Sequence, residues 1–404
     1  MILAKIWMEH SARALNRTFT YDVSQFSVKP GMRVHVPFGT QKLVGFVDQV
    51  WEDHREKKEI EAQQGFEIKS VYDVIDQEPV LNEELMNLGK WLAKETVSPV
   101  ISCYQCMVPP PLKPKEVTKE ARKIAYYRFV REPDRITARQ KAVLDMCRLQ
   151  DCERSVMNKE SASIVRRLLT IGAICLVEKE KEAGVTVEVR KEEGKMLTEQ
   201  QQKAMDEMLT SPKVSLLHGV TGSGKTELYL QMADRCLQQH KQVLILVPEI
   251  SLTPMMVQRV TRRFCQAVAI YHSGLSAQEK YEQYQLVRNN KVQVVVGTRS
   301  AVFMPFTDLG LIVLDEEHDS SYKQDTQVRY HCRDVAIYRA RTHNAKVVLG
   351  SATPSLESYA RTLKNVYQLV KLPHRIYGDL PNVEVVNMKE EIAAGNEILS
   401  SSLK

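Results

Sequence analysis

Between residues 197 and 375 the chain repeats one pattern: a short unbroken apolar run, then a helix-compatible stretch. The runs are Val214–Leu217, Val243–Val247, Ala267–Tyr271, Val292–Val296, Leu311–Leu314 and Val347–Leu349. Unbroken apolar strands separated by helices predict a parallel sheet buried on both faces, hence an α/β unit. In such a sheet ligands gather at the carboxyl ends of the strands.

The upstream pattern is different. Residues 1–108 start with strand-like segments: Met1–Trp7, Thr18–Tyr21, Met32–Phe38 with alternation around Val34 and Val36, and Leu43–Val50. Pro30-Gly31 and Phe38-Gly39 mark turns. The charged, proline-free stretch Glu52–Gln64 reads as a solvated insertion, whereas Leu81, Leu85, Leu88 and Leu92 predict a helix face. Pro109-Pro110-Pro111 closes this β-rich unit.

Residues 115–195 change again. Ala142, Val143, Met146 and Leu149 share one helical face, and Ile164, Val165, Leu168 and Leu169 share another, on a helix that carries Arg166 and Arg167. Ile174–Val177 and Val185–Val189 then predict a hairpin, and helices followed by a hairpin predict a small winged helix. An arginine pair on such a helix is more often a solvated face than a DNA contact.

A chain of 404 residues predicts two to four domains. Its 43% hydrophobic and 26% charged residues are those of an ordinary globular protein, and a net charge of +6 permits a nucleic-acid partner without demanding one. Of eight cysteines only Cys103 and Cys106 are spaced C-x-x-C, without a second pair, so zinc is not expected there. The N-terminus lacks a signal-peptide pattern, and no apolar run approaches the roughly 18 residues of a membrane span, so the chain is expected to be cytoplasmic, without a membrane partner.

Chemistry enters at the strand ends. Gly219-Val220-Thr221-Gly222-Ser223-Gly224-Lys225-Thr226 fits a phosphate loop (Walker A): a glycine, four residues, then Gly-Lys-Thr, between a strand and a helix. Its backbone N–H groups and the helix N-terminus behind them make a site for the polyphosphate of ATP. Lys225 would reach the β- and γ-phosphates, and the Thr226 hydroxyl would ligate Mg²⁺. Leu311–Leu314 runs into Asp315-Glu316-Glu317-His318: Asp315 would hold Mg²⁺ through water and Glu316 would orient or deprotonate the attacking water. The next run ends in Gly350-Ser351-Ala352-Thr353-Pro354.

Phosphate loop, the DEAH-like D-E-E-H and S-A-T, in this order, resemble the first RecA-like lobe of a superfamily-two helicase, in which S-A-T couples hydrolysis to movement on nucleic acid. Val247–Pro254, His272–Ser276, Gly297–Ala301, Asp315–Gln324 and Arg329-Tyr330-His331 narrow the likeness to the primosomal replication-restart helicases (primosomal protein N′, the PriA family). Arg17–Tyr21 and Arg33–Gly39 are similar to that family's domain for the 3′ end of a nascent strand.

The resemblance implies a DNA-dependent ATPase that unwinds DNA in the 3′ to 5′ direction, recognises forks and D-loops, and works with primosome proteins and single-stranded-DNA-binding protein. It implies that Gln201 contacts adenine, that His318 belongs to the catalytic set with Lys225, Asp315 and Glu316, and that Ser351 and Thr353 couple the sites. It places Thr298 and Arg299 on single-stranded DNA, Tyr322, Lys323, Arg329 and Tyr330 on an aromatic-rich coupling loop, and Phe19, Thr20 and Tyr21 at the 3′ end. Aromatic faces suit bases and cations suit phosphates. Where the family usually has Asp the chain has Thr20, which accepts hydrogen bonds only as a neutral group. The expected units are 1–108, 115–195, 197–375 and a connector over 376–404, with the family's zinc sites and second lobe expected only beyond Lys404. A chain without that lobe is expected to bind ATP and DNA yet hydrolyse weakly, since such motors take an arginine from it. The alternative is a fork-DNA binding module in which ATP is only a conformational ligand.

Overall fold

A computed structural model describes residues 1–9, 16–113, 123–133, 137–149, 152–180, 193–212, 214–249, 254–265, 268–376, 384–393, 395 and 401–403. The described residues form three sheets. The first contains β1 (Ile2–Met8), β2 (Thr18–Asp22), β3 (Arg33–Phe38), β4 (Gln41–Glu52) and β5 (Asp73–Val74), in the order β2-β1-β4-β3-β5. Its strands pair antiparallel, and their alternation buries Ala4, Ile6, Val34, Val36 and Val47 in one core.

The stretch expected to be a solvated insertion instead ends in a helix, α1 (Lys57–Gln64). It is held by a single apolar side chain, Ile60, buried against Leu3 and Ile68. One buried residue in such a charged segment leaves no periodic signal. Next come α2 (Glu83–Glu95), whose N-cap Asn82 side chain accepts from Leu85 N at 2.9 Å, and α3 (Val100–Met107). The proline run forms a short 3₁₀ turn packed into the unit, with Leu112 O accepting from Arg33 Nη1 at 3.1 Å.

The middle unit contains β6 (Lys123–Phe129), α4 (Ala138–Leu149), β7 (Cys152–Glu153), α5 (Arg154–Thr170) and β8 (Ile174–Glu180). Val165 and Leu168 supply its core as the periodicity predicts, but on α4 the buried face is Val143, Leu144 and Cys147, while Ala142 and Met146 of the expected face are exposed. Arg166 and Arg167 are exposed. Only the first strand of the expected hairpin lies among the described residues. β8 pairs antiparallel with the upstream strand β6, and Val185–Val189 lies outside the described residues.

The third sheet is parallel throughout. After α6 (Glu199–Thr210) come β9 (Ser215–Gly219), α7 (Lys225–Gln238), β10 (Gln242–Leu246), α8 (Pro254–Phe264), β11 (Val268–Tyr271), α9 (Ala277–Arg288), β12 (Val294–Gly297) and β13 (Leu309–Leu314). They are followed by α10 (Cys332–His343), β14 (Lys346–Ser351), α11 (Leu356–Leu363), β15 (Gln368–Leu372) and α12 (Met388–Ala393). The strand order is β11-β12-β10-β13-β14-β9-β15, a RecA-like arrangement. Leu217, Ile245 and Val313 enter the core on one face of the sheet, and Leu216, Leu244 and Ile312 enter the core on the other. Burial on both faces is the reason the runs are unbroken.

The N-terminal unit is fastened to this lobe. Arg339 on α10 is fully buried and pairs with Glu84 on α2, Nε–Oε1 2.9 Å and Nη2–Oε2 2.7 Å, while its Nη1 donates to Val302 O and Met304 O. Asn82 Nδ2 donates to Phe306 O at 3.1 Å, Tyr284 OH donates to Val80 O at 2.8 Å, and Trp91 stacks on Tyr338. Among the described residues no helix is long and apolar enough to cross a membrane.

Candidate nucleotide and DNA site

The phosphate loop leaves β9 and enters α7 through glycines in the left-handed region, Gly222 at φ 83° and Gly224 at φ 84°. A side chain at Gly224 would be strained, and a methyl group there would overlap the Gln201 amide. Gln201 closes a capping box with Thr198 at the start of α6, and its Nε2 donates to Ser223 O at 3.0 Å. This buried amide braces the loop from behind.

Lys225 is 8% exposed and folds over the loop, its Nζ donating to Gly219 O at 2.8 Å and lying 3.9 Å from Glu316 Oε1. Thr226, half-buried, follows it in the first turn of α7. Ser223 Oγ is shielded from solvent and has no hydrogen-bond partner, although buried hydroxyls are almost always paired. A group rich in acceptor oxygens fits this cradle of glycine backbone, helix N-terminus, lysine and orphan hydroxyl. The residues present therefore fit a nucleotide polyphosphate.

Asp315 stands at the end of β13, accepting from the Tyr229 hydroxyl of α7 at 3.1 Å. Burial, and then the neighbouring Glu316 charge, hold its carboxyl above the usual carboxylate range. Burial and the same acidic pair keep the Tyr229 phenol protonated, so that it donates. A divalent cation at Asp315 and Thr226 would relieve this crowding of negative charge. Glu316 itself sits at φ 44°, a left-handed conformation that turns the chain sharply after the strand.

His318 and Glu317 join this turn to the end of β14. His318 Nδ1 lies 2.8 Å from Ser351 Oγ, and its Nε2 lies 3.5 Å from Thr353 Oγ1. Glu317, buried, accepts from Ser355 N (2.7 Å), Ser355 Oγ (3.1 Å) and Ser358 Oγ (2.8 Å), while Arg333 Nη1 donates to the same Ser358 Oγ. The sequence motif contains Glu317, but its letters give no hint of these partners, which are the N-cap and first turn of α11 and the first turn of α10.

The aromatic-rich segment departs from expectation. Tyr322 is fully buried, with its hydroxyl donating to Asp315 O at 2.7 Å, and Tyr330 is buried edge-on to Phe303. Neither ring offers a face to a base in this conformation. Arg299 does not stand free for a phosphate: its Nη1 donates to Ser321 O (2.9 Å) and Lys323 O (2.6 Å), pinning the segment. Thr298 is buried, and its N donates to Tyr271 O. Lys323 and Arg329 are exposed. The same segment reaches the N-terminal unit, where Gln327 Nε2 donates to Ser102 Oγ at 3.2 Å.

The residues expected at a DNA end lie on β2, in the first sheet. Phe19 is half-buried, edge-on to Phe38 with centroids 5.7 Å apart, and Arg17 lies over its ring. Thr20 is half-buried opposite Lys5 of β1. Tyr21 points into the core instead, donating to Pro37 O at 3.0 Å, and burial pushes its phenol up to about 12. Cys103 and Cys106 on α3 are held as thiols by burial, Cys103 at about 12, and among the described residues no three or more His, Cys, Asp or Glu side chains are grouped so as to hold a metal ion by themselves.

A parallel sheet with a phosphate-loop motif, an acidic strand end and a Ser-Ala-Thr strand end defines a helicase-type RecA-like lobe. A family model described as DEAD/DEAH box helicase matches residues 198–362, and one described as 3'DNA-binding domain (3'BD) matches residues 9–109. The chain is 36% identical to the replication restart protein PriA of Bacillus subtilis (strain 168) over 99% of its length, and 34% identical to that of Haemophilus influenzae over 95%. It belongs to the PriA family of replication restart proteins. The chain spans 59% and 56% of those two relatives' own length.

Proposed function

We propose that the chain is the ATP- and DNA-binding part of a replication-restart helicase that moves 3′ to 5′, recognises stalled forks and D-loops, and begins primosome assembly with primosome proteins and single-stranded-DNA-binding protein in the cytoplasm. The supporting observation is the solvent-shielded, partnerless Ser223 hydroxyl in a loop already holding Lys225 and faced by Glu316.

In this reading Val220, Thr221, Gly222, Ser223 and Gly224 offer backbone N–H groups to the phosphates of ATP, and Lys225 swings from Gly219 O to the β- and γ-oxygens. Thr226 and Asp315 would hold Mg²⁺, which would supply charge neutralisation at the phosphates, while Glu316, with its carboxylate half exposed, orients and deprotonates the attacking water. His318 passes the state of this site to Ser351 and Thr353 through hydrogen bonds already in place. Lys323 and Arg329 take DNA phosphates, and Phe19 with Arg17 takes the terminal base of the 3′ end, where the Thr20 hydroxyl is a weaker acceptor than a carboxylate.

Fluorescence anisotropy with a fork carrying a free 3′ nascent end, beside a blunt duplex of equal length, tests this reading. The fork is expected to bind at least about tenfold more tightly, with affinity falling steeply in salt as phosphate contacts are lost. Equal affinity for both would refute it.

A further inference from the structure

Beyond β15 the chain turns back across the phosphate loop. Val220 N donates to Leu372 O at 3.1 Å, and Ile376 N donates to Gly222 O at 3.0 Å. Two main-chain hydrogen bonds thus fasten the segment 372–376 to the loop. Between them, the stem of Arg375 lies along Gly222: a methyl group on that glycine would stand 3.7 Å from Arg375 Cγ and 3.8 Å from Cδ. Arg375 Nε is shielded from solvent and has no hydrogen-bond partner. Ser223 Oγ, one residue from Gly222, is in the same condition.

Two orphaned donors at one loop call for a ligand with acceptor oxygens. A guanidinium is always charged and cannot give up its proton to escape the deficit, so burying its Nε–H without a partner is costly. Anionic oxygens are the acceptors that recover most, since charge-assisted hydrogen bonds are the strong ones.

We propose that Arg375 is a nucleotide-binding residue, giving charged donors to the polyphosphate held at residues 219–226, and that the segment 372–376 follows occupancy of the loop through the Ile376–Gly222 bond. This rests on the reading of that loop as a phosphate site. Arg375 adds to Lys225 a second cation, delivered by the segment that follows β15, the strand beside β9, rather than by the motif itself. A lysine at this position would keep the charge and lose the planar fork.

Titration calorimetry with ATP, ADP and adenosine tests the proposal, using the purified chain beside Arg375→Ala, Arg375→Lys and Lys225→Ala. Arg375→Ala is expected to weaken ATP and ADP by about tenfold or more, Arg375→Lys by less, and adenosine by nothing. ATP is also expected to slow tryptic cleavage after Arg375 in the unmodified chain. If Arg375→Ala is poorly folded, Arg375→Gln, which keeps most of the stem, replaces it. ATP and ADP bound by Arg375→Ala as tightly as by the unmodified chain, while Lys225→Ala loses both, would overturn the role of Arg375 and leave the phosphate site standing. Absence of nucleotide binding by the unmodified chain, or full binding by Lys225→Ala, would overturn the phosphate site and this proposal with it.

Discussion

His318 Nδ1 and Ser351 Oγ stand 2.8 Å apart, joining the ends of the neighbouring strands β13 and β14 by a side-chain hydrogen bond. One strand end carries the acidic residues that face Lys225, and the other carries the Ser-Ala-Thr segment. Ser351→Ala removes the bond without touching the phosphate loop. ATP affinity is expected to stay within about twofold, while the effect of nucleotide on DNA affinity falls by about fivefold or more. Paired ATP and DNA titrations on the two proteins check this, and an unchanged coupling would show that the bond only shapes the fold.

Arg339 and Glu84 fasten the N-terminal unit to the lobe with no exposed guanidinium surface. Removing one partner leaves the other charge buried, so Glu84→Ala is expected to cost about 3–5 kcal/mol of unfolding free energy. The double variant with Arg339→Met is expected to cost less than the sum of the singles by at least about 1 kcal/mol. Urea unfolding of the four proteins measures the difference.

Gly350 allows the Tyr229 hydroxyl to reach Asp315, because a methyl group at position 350 would overlap that hydroxyl. Gly350→Ala is therefore expected to lose about 1–3 kcal/mol by overpacking. Adding Tyr229→Phe should recover part of the loss. Thermal unfolding decides, and a stable Gly350→Ala would mean that the ring has room to move.

Asp315 carries a pH signature. Burial, then the charge of Glu316, raise its carboxyl pKa above the usual value, so it becomes neutral at a higher pH than an exposed aspartate. As pH falls through that raised value the Mg²⁺-dependent part of ATP affinity should disappear, before ordinary carboxylates protonate. For stability the direction is opposite: the ionised buried carboxyl costs stability at neutral pH, and protonation relieves it. Tyr229→Phe removes a hydrogen bond that favours the ionised form and should move the limb upward, whereas Asp315→Asn should abolish it. A limb that survives in Asp315→Asn belongs to the nucleotide or another group.

Much of the lobe was legible because each buried strand is an unbroken apolar run that ends in polar chemistry: Leu311–Leu314 into Asp315, Val347–Leu349 into Ser351. β15 escaped notice because Gln368 and Lys371 interrupt its apolar residues, yet it carries the chain back to the loop. Tyr322 and Tyr330 read as base-facing aromatics from their motif alone. Their burial is decided by the Asp315 carbonyl, seven residues back, and by Phe303, contacts set by how an irregular loop folds rather than by a helix or strand period. Ser223 was legible as a member of the loop. That its hydroxyl lacks a partner is visible only in three dimensions.

Forked-DNA affinity measured with and without ATP, in the unmodified chain beside Lys225→Ala, tests most directly whether one chain joins the two sites. ATP is expected to shift the affinity of the unmodified chain severalfold, and to leave Lys225→Ala unmoved. A chain that binds ATP yet holds forked DNA equally tightly in its presence and absence would contradict the account.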